Sequence, residues 1–325
     1  MNLEKIELFL LDNLVWIIFA IFFLVFGFLK PNAFLSISNF RFIIYSSAAL
    51  GFLVLAEGVC LITGNFDLSI GQMAGFLAML NAMIITEWAP GIPWYLAILI
   101  IIALGGLLGA VNGIFIGKFG LNPFLVTLST YMIFKGGTLT VSSSPIRRGF
   151  PEIYLAIGGG SIGGIPNAIF VLFGGLLILG FILRYTRFGS HLYAVGSNPK
   201  SASMTGIRVD NMLLYTYILS GLLVSVAAIL FTGFVGSATP GLANNTLFTA
   251  FAGAVIGGIS LSGGRGKLSG AVGGILLVGT IEAGLTMMYV PPQQTTIYTG
   301  LLVLVAIIIN QLKETARDKI LMAGS

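Results

Sequence analysis

Long apolar segments, separated by short polar or glycine- and proline-rich stretches, follow one another along nearly the whole chain. Most approach the ~20 residues that an α-helix needs to cross a bilayer, and they lack the alternation that is typical of strands. Runs of this length favour membrane-spanning helices over a β-barrel. The pattern predicts about ten spans, near residues 8–29, 40–62, 67–86, 94–117, 122–141, 167–184, 211–235, 243–262, 268–289 and 294–312.

Two of these predicted spans begin with residues that interrupt helices. The segment 67–86 starts at Asp67, a potential helix cap, and the segment 122–141 starts at Asn122–Pro123, where proline breaks one helix and starts another. We therefore expect these spans to be broken or to cross only half of the membrane. Apolar segments recur from end to end, so residues 1–325 are predicted to form a single transmembrane domain.

Composition agrees with an all-α integral membrane protein. Hydrophobic residues make up 57% of the 325 positions and charged residues only 8%, against roughly 25% in soluble domains. This excludes a soluble globular protein, and the net charge of +5 is then a signal of topology and not of nucleic acid binding. Cys60 is the single cysteine, which excludes an intrachain disulfide and a thiolate metal site, and we expect no metal site. No signal-peptide cleavage pattern precedes the first apolar segment, which we expect to remain as an anchor.

The distribution of lysine and arginine predicts the orientation. With ten crossings and the N-terminus inside, 11 basic residues face the cytoplasm and 5 face the outside, so both termini are predicted to be cytoplasmic. The inner residues are Lys5, Lys118, Arg184, Arg187, Lys200, Arg208, Arg265, Lys267, Lys313, Arg317 and Lys319. The outer residues are Lys30, Arg41, Lys135, Arg147 and Arg148.

A polar stretch at residues 184–210 stands out against the apolar background and is predicted to be cytoplasmic. Within it, Asn198 is a good N-cap, Pro199 suits the first helical position, and Gly206 can end a helix in a left-handed conformation. About two turns fit between these signals, which is too short a helix to be stable alone. Either this helix lies against another surface, or the stretch is a solvated loop between two spans.

Glycine-rich segments raise the question of a nucleotide site. The turn VIGGISLSGGRGKLSG, residues 255–270, resembles a phosphate-binding loop, but Leu261 replaces the first glycine of GxxxxGK[ST] and Leu268 replaces the Ser/Thr. We therefore expect no nucleotide bound by this chain. The other glycines, such as those of 105–113 and 270–274, are expected to let helices approach closely.

Several motifs resemble the permease subunits of the ribose-type family of bacterial ABC importers. In chain order they are ITGNFDLSIGQ, LNPFLVTLSTYMIFKG, FGSHLYAVGSNPKSASMTGIRVD, LSGLLVSVAAIL and VIGGISLSGGRGKLSGAVGGILLVG. Together they extend over roughly residues 50–310. The resemblance implies a small polar solute as cargo, with a monosaccharide or polyol as the default. Related permeases carry nucleosides, a furanosyl signalling molecule or branched amino acids, so these alternatives stay open.

The resemblance also implies partners. These are a second permease copy, identical or paralogous, two cytoplasmic ABC ATPases that bind ATP and Mg²⁺, a substrate-binding protein outside, and the membrane lipid. It further implies that residues 198–206 form the coupling helix that docks in a groove of the ATPase. The candidate coupling residues are Asn198, Pro199, Lys200, Ala202, Met204 and Gly206.

Polar residues inside apolar segments are candidates for the translocation path, because such residues usually face a cavity or a partner. They are Glu57, Asp67, Asn112, Asn122 and Glu282. The sequence departs from the family pattern at Glu57, at Glu282–Gly284, and near Leu247 and Thr249, where an acidic pair is common. Glu57 has two interpretations: it lines the path and binds substrate hydroxyls, or it holds helices together.

The long outer loop 142–166 carries Arg147 and Arg148, which oppose the positive-inside trend. They are candidates for docking an acidic surface of the binding protein, and an ordinary exposed pair is the alternative. An ion-coupled secondary transporter would explain the acidic residues but would need neither residues 198–206 nor an ATPase. A channel is less well supported, because no filter motif or ring of like residues is present. The similarity of DLSIGQ to SLSGGR is interpreted as coincidence, because the following spans do not keep register.

Overall fold

Helices account for almost all of the regular structure. The structure, a computed structural model, describes residues 13–323, so Lys5 and the start of the first predicted span lie outside the described residues. Within the described part, eight helices are long and apolar enough to cross a membrane, and two shorter apolar helices accompany them. The predicted all-α membrane fold is confirmed.

The helices follow the predicted segments closely. Their bounds are α1 Leu14–Leu29, α2 Pro31–Phe34, α3 Ile37–Ile62, α4 Ile70–Met83, α5 Trp94–Gly113, α6 Pro123–Val141, α7 Glu152–Gly159, α8 Asn167–Tyr185, α9 Arg187–Ser197, α10 Pro199–Met204, α11 Val209–Val235, α12 Thr246–Ile256, α13 Leu268–Met287 and α14 Pro292–Ala323. Helices α4 and α5 each continue into a π-helical turn, Ile84–Trp88 and Ile114–Lys118. The strands β1 (Ser161–Ile162) and β2 (Ile165–Pro166) form a small antiparallel hairpin.

Helices α3 and α11 form the centre of the bundle. In α3, 78% of the most apolar window is buried, against 11% in α8 and in α14, which lie at the periphery. Helix α11 packs along both α3 and α5, and α13 packs against α3 from the other side. The interior therefore surrounds α3, the helix that carries Glu57.

Glycines allow the closest of these contacts, as the sequence predicted. In α5, a Cβ at Gly109 would collide with the backbone of Tyr217 in α11. In α13, Gly274 faces the carbonyl group of Gly253 in α12 in the same way. Because lipid supplies no hydrophobic driving force between helices, van der Waals contact at such small residues stabilises the bundle.

One predicted span is wrong in detail. The segment 243–262 was expected to cross the membrane, but its helix α12 has 11 residues, and at 1.5 Å per residue it covers only about half of a bilayer core. The helix ends at Ile256, Gly257 is its C-cap, and Gly258 adopts φ +83°, which breaks the helical path. By contrast, the two segments expected to be broken both form helices of span length, Ile70–Trp88 and Pro123–Val141.

The structure groups residues that are predicted to lie on the same side of the membrane. At one end, Lys118 forms an ion pair with Asp210, and the turn 257–267 meets α9, so that groups predicted to be cytoplasmic lie together. At the other end, Ile146 and Ala238 join two predicted outer loops through a pair of backbone hydrogen bonds of 2.8 and 2.9 Å.

Candidate functional site

The short helix α10 forms between the predicted start and stop residues. The Asn198 side chain accepts a hydrogen bond from the Ser201 N–H at 2.9 Å, and Pro199 occupies the first helical position. Gly206 follows the helix with φ +87°, a conformation that favours glycine. The helix has six residues, so its stability depends on what it lies against.

The candidate coupling residues of α10 differ in their exposure. Ala202 is only 4% exposed and packs against the permease itself, so its side chain is not available to a partner. Met204 is 76% exposed, a large apolar side chain at the end of the helix. Pro199 and Lys200 are also exposed. A partner that met this helix would therefore contact Met204 and its neighbours, and not the side chain of Ala202.

A junction of backbone segments lies directly behind α10. We define the glycine junction as Ile62, Gly196 and Gly263–Gly264. The N–H of Gly264 donates to the carbonyl group of Ile62 at 2.8 Å, and a Cβ at Gly196 would collide with that same carbonyl group. The end of α3, the end of α9 and the turn 257–267 therefore meet with no side chain between them.

Tyr193 gives the junction a further bond. Its hydroxyl group donates to the carbonyl oxygen of Gly266 at 2.9 Å, which links α9 to the turn 257–267 a second time. Partial burial raises the pKa of the Tyr193 hydroxyl above its ordinary value, so it remains a donor at physiological pH. Helix α10 follows α9 directly, and one residue separates Gly196 of the junction from Asn198, the N-cap of α10.

The loop 63–69 continues from the junction into the interior of the bundle. Three helices each hold it with one polar side chain. Glu57 of α3 accepts from the Asp67 N–H at 3.3 Å, and Asn112 of α5 donates to the Ser69 hydroxyl at 3.0 Å. Tyr217 of α11 donates its hydroxyl hydrogen to the carbonyl oxygen of Phe66 at 3.0 Å.

The acid pair of this loop is fully enclosed. Glu57 and Asp67 are both 0% exposed, and the Asp67 carboxylate also accepts from the N–H and the hydroxyl of Ser69, at 2.9 and 2.5 Å. Among the described residues, Glu57 Oε1 and Asp67 Oδ2 have no hydrogen-bond partner. The buried polar groups serve as anchors of the loop in this conformation, which favours the interpretation of Glu57 as a residue that holds segments together.

The structure thus brings together three of the five path candidates and separates the other two. Glu57, Asp67 and Asn112 meet at the loop 63–69. Asn122 is exposed at the start of α6, where its side chain caps the helix by accepting from the Phe124 N–H at 2.9 Å. Glu282 lies on α13, is partly buried, and is not among the residues that meet at the loop 63–69.

At the opposite end of the bundle, Arg147 and Arg148 project from a loop of defined shape. Both are exposed, and they follow Ile146, whose backbone pairs with Ala238. On their other side, the ring of Phe150 stacks on Tyr154, whose hydroxyl group accepts a 2.6 Å hydrogen bond from Asn81. The two guanidinium groups are therefore presented from a fixed backbone.

Sequence reasoning missed the residues that make these connections. In the sequence, Tyr217 and Ile62 are ordinary members of apolar spans. Only the hydroxyl group of Tyr217 and the backbone carbonyl group of Ile62 make these hydrogen bonds. The dense glycines of 257–267 were a usable signal, because a turn that needs so many residues without side chains indicates close backbone contact.

Comparisons with known proteins give consistent matches over most of the chain. The family model described as "Branched-chain amino acid transport system / permease component" matches residues 39–309. The D-allose transport system permease protein of Escherichia coli (strain K12) is 32% identical over 296 residues, which cover 91% of this chain and 90% of that protein. The autoinducer 2 import system permease protein of Klebsiella pneumoniae subsp. pneumoniae is 32% identical over 292 residues, covering 87% and 86%. The ribose import permease protein of Bacillus subtilis (strain 168) is 32% identical over 287 residues, covering 88% of both chains. No solved structure matches.

Proposed function

This chain belongs to that family of transport-system permeases, and from this premise we propose that it is the pore-forming subunit of a binding-protein-dependent ABC importer for a monosaccharide or polyol. It is a multi-pass protein of the bacterial cytoplasmic membrane. The choice of a sugar is supported by the relatives named for D-allose and ribose. The family description and the autoinducer 2 relative name other cargo, which the experiment below distinguishes.

Helix α10 docks on a cytoplasmic ABC ATPase. The exposure of Met204 on the polar stretch 184–210 carries this assignment, because it gives a partner a large apolar side chain to bury at the end of the helix. The capped but short helix supports it further, since docking supplies a surface that stabilises the helix.

The glycine junction passes the movement of α10 into the membrane. The path runs from α9 through Gly196 to the carbonyl group of Ile62, and from there along the loop 63–69 to Glu57 and Asp67. Backbone segments in contact without intervening side chains move together, because no rotamer change can absorb the displacement. Three helices hold the loop, so its movement changes their relative positions.

The nucleotide and Mg²⁺ that drive this cycle are bound by the partner ATPase and not by this chain. The failed GxxxxGK[ST] pattern supports this assignment. So does the fact that the Gly264 N–H, which a phosphate-binding loop would offer to a phosphate, already donates to Ile62. On the outer side, a substrate-binding protein docks near Arg147 and Arg148, and a second permease copy completes the translocation path.

The ligand of the cognate substrate-binding protein tests the proposed cargo. That protein is purified without added ligand, and the molecule it retains is identified by mass spectrometry and then offered to cells that carry or lack this permease. A monosaccharide or polyol whose uptake is lost with the permease is the expected result. A branched-chain amino acid or a nucleoside would contradict the proposed cargo, while leaving the importer mechanism intact.

A further inference from the structure

The short helix α12 begins inside the membrane and not at its surface. It leads into the turn 257–267 at the end of the bundle that is predicted to be cytoplasmic. Its 11 residues extend over about 16 Å, so its first residue lies about half-way through a hydrocarbon core of ~30 Å. The preceding segment 236–245, which is not helical, therefore runs from the outer end to the middle of the bundle.

Contacts with α4 show the same descent. Near its outer end, the segment packs through Ala238 against Met79 of α4. Further along, a Cβ on Gly71 would lie 3.3 Å from the carbonyl oxygen of Ala243, and one on Gly75 would lie 3.9 Å from the Ala243 Cβ. From Met79 to Gly71 the helix covers about 12 Å, so the segment 236–245 extends inward along about two turns of α4.

Polar and aromatic side chains are exposed at this depth. Asn244 and Asn245 are exposed, and Phe248, in the first turn of α12, is 53% exposed. Helix α12, all of which the structure describes, exposes no other side chain. Gln72 of α4 is only 7% exposed, and its amide donates to Asn244 Oδ1 at 3.2 Å. We define the mid-membrane patch as Gln72, Asn244, Asn245 and Phe248.

Lipid is an unfavourable neighbour for this patch. Acyl chains cannot hydrogen-bond to amide groups or to non-helical backbone, so such backbone at membrane depth is buried in protein or lines a water-filled cavity. The stretch 236–249 contains no charged residue and no histidine. The patch therefore offers amide groups, which both donate and accept hydrogen bonds, beside one aromatic ring.

We propose that the mid-membrane patch contacts the solute during its translocation. The amides of Asn244 and Asn245 bond to hydroxyl groups of the solute, and the ring of Phe248 packs against its C–H surface. An uncharged, hydroxylated solute fits this chemistry, whereas a zwitterionic amino acid would bring two charges to a segment that offers none. The inference rests on the proposed function and names the residues that would contact its cargo.

The position of the patch along the chain favours the solute as its occupant over a second permease copy. The stretch 236–267 begins beside the loop that carries Arg147 and Arg148, because Ala238 pairs with Ile146. It ends in the turn of the glycine junction. The patch therefore lies between the proposed site of the binding protein, which delivers the solute, and the proposed route of movement from the ATPase.

The accessibility of introduced cysteines to water tests the position of the patch. The permease and its ATPase are placed in proteoliposomes and treated on both sides with a charged methanethiosulfonate reagent. Asn244→Cys and Phe248→Cys should be modified at least about tenfold faster than Ile178→Cys, because a thiol ionises and reacts only where water reaches it. Ile178 is the matched control, an exposed residue near the middle of the peripheral helix α8. The native Cys60 is fully buried and should give no background.

Modification of both patch cysteines no faster than Ile178→Cys would overturn the inference. A disulfide between the Asn244→Cys residues of two copies, without modification by the reagent, would show that a second copy covers the patch and would also overturn it. The modification requires neither a known solute nor a known energy source. It therefore distinguishes an error about the patch from an error about the importer.

Contact with the solute is tested once the ligand of the binding protein is identified. Uptake of that ligand is compared with uptake of its deoxy analogues, with the same binding protein throughout. Asn244→Leu keeps the shape of the side chain, and Asn245→Gly keeps a backbone conformation of φ +66° that glycine adopts readily. In each variant, the preference for the ligand over at least one deoxy analogue should fall about fivefold, the effect of one neutral hydrogen bond. Ile178→Leu should keep the full preference, and an unchanged preference in both patch variants would overturn the contact.

Discussion

Single polar residues in the interior stabilise the fold because no solvent can replace their hydrogen bonds. Glu57, Asn112 and Tyr217 each bond one group of the loop 63–69, and each of these bonds lies where no solvent can replace it. Removing such a residue leaves a buried group without a partner, at a cost of about 1–3 kcal/mol. Replacing it by a residue of the same shape and bonding capacity costs less.

Two substitutions of Glu57 test these two cases separately. Glu57→Gln keeps an acceptor oxygen for the Asp67 N–H, and we expect near-normal amounts of permease and near-normal uptake. Glu57→Ala leaves that N–H unsatisfied and a void in the most buried helix, so the permease should be less stable by about 1–3 kcal/mol, with an unchanged preference among substrates. The thermal midpoint and the relative uptake of competing solutes measure the two effects.

Glu87→Ala is the control for that experiment, because Glu87 is an exposed acid at the outer end of the α4 segment and should tolerate the change. A Glu57→Ala protein of normal stability with altered substrate preference would be incompatible with the anchoring role. It would instead place Glu57 on the translocation path.

At the scale of elements, we assign docking on the ATPase to α10 and the transmission of its movement to the glycine junction. If the exposed tip of α10 docks on the ATPase, as proposed, Met204→Glu should abolish association with the ATPase while the permease stays folded in the membrane. The reason is that a carboxylate would be desolvated in an apolar groove. Copurification of the ATPase with the permease, at equal permease abundance, measures this effect.

Met288→Glu makes the same chemical change at an exposed methionine in the turn that follows α13, at the opposite end of the bundle, and should leave the ATPase bound. If the Met204→Glu permease retains the ATPase and full transport, α10 is not the docking helix. Ala202→Arg is a poor test of docking, because Ala202 is buried and the larger side chain would disturb the bundle itself.

The glycine junction is proposed to transmit the movement of α10 into the membrane. Gly196→Ala places a methyl group against the Ile62 carbonyl oxygen, and α9 must move away from the end of α3. We expect ATP hydrolysis to continue while the solute transported per ATP falls by about tenfold, within the usual range of coupling free energies. Gly174→Ala, at a helical glycine with open space around it, is the matched control. If both variants transport the same amount of solute per ATP, the glycine junction does not transmit the movement of α10.

The same elements show what the sequence could predict. Asn198, Pro199 and Gly206 act through local backbone geometry, so the bounds of α10 were readable from residue types alone. The meeting of Gly196 with Ile62 and Gly264 depends on three segments far apart in the chain, and no local pattern encodes it. The burial of Ala202 and the half-length of α12 are likewise set by tertiary packing and by the turn at Gly258.

At the scale of the whole molecule, the proposed function assigns different partners to the two ends of the bundle. The outer end presents Arg147 and Arg148, where ion pairs steer and orient a binding protein more than they add affinity. Arg147→Glu with Arg148→Glu should therefore reduce uptake most at low binding-protein concentration, and the defect should depend on salt. Lys30→Glu, another exposed basic residue predicted to be outside, is the control. Uptake that is unchanged at every binding-protein concentration would identify an ordinary exposed pair.

The central claim is that ATP hydrolysis outside this chain drives transport through it. The most direct test is uptake into proteoliposomes that contain the permease and its ATPase, with the binding protein outside and its identified ligand radiolabelled. We predict uptake that requires both enclosed ATP and the binding protein, and that persists when ionophores remove all ion gradients. Uptake without ATP that follows an imposed proton or sodium gradient would contradict this account and would identify an ion-coupled transporter.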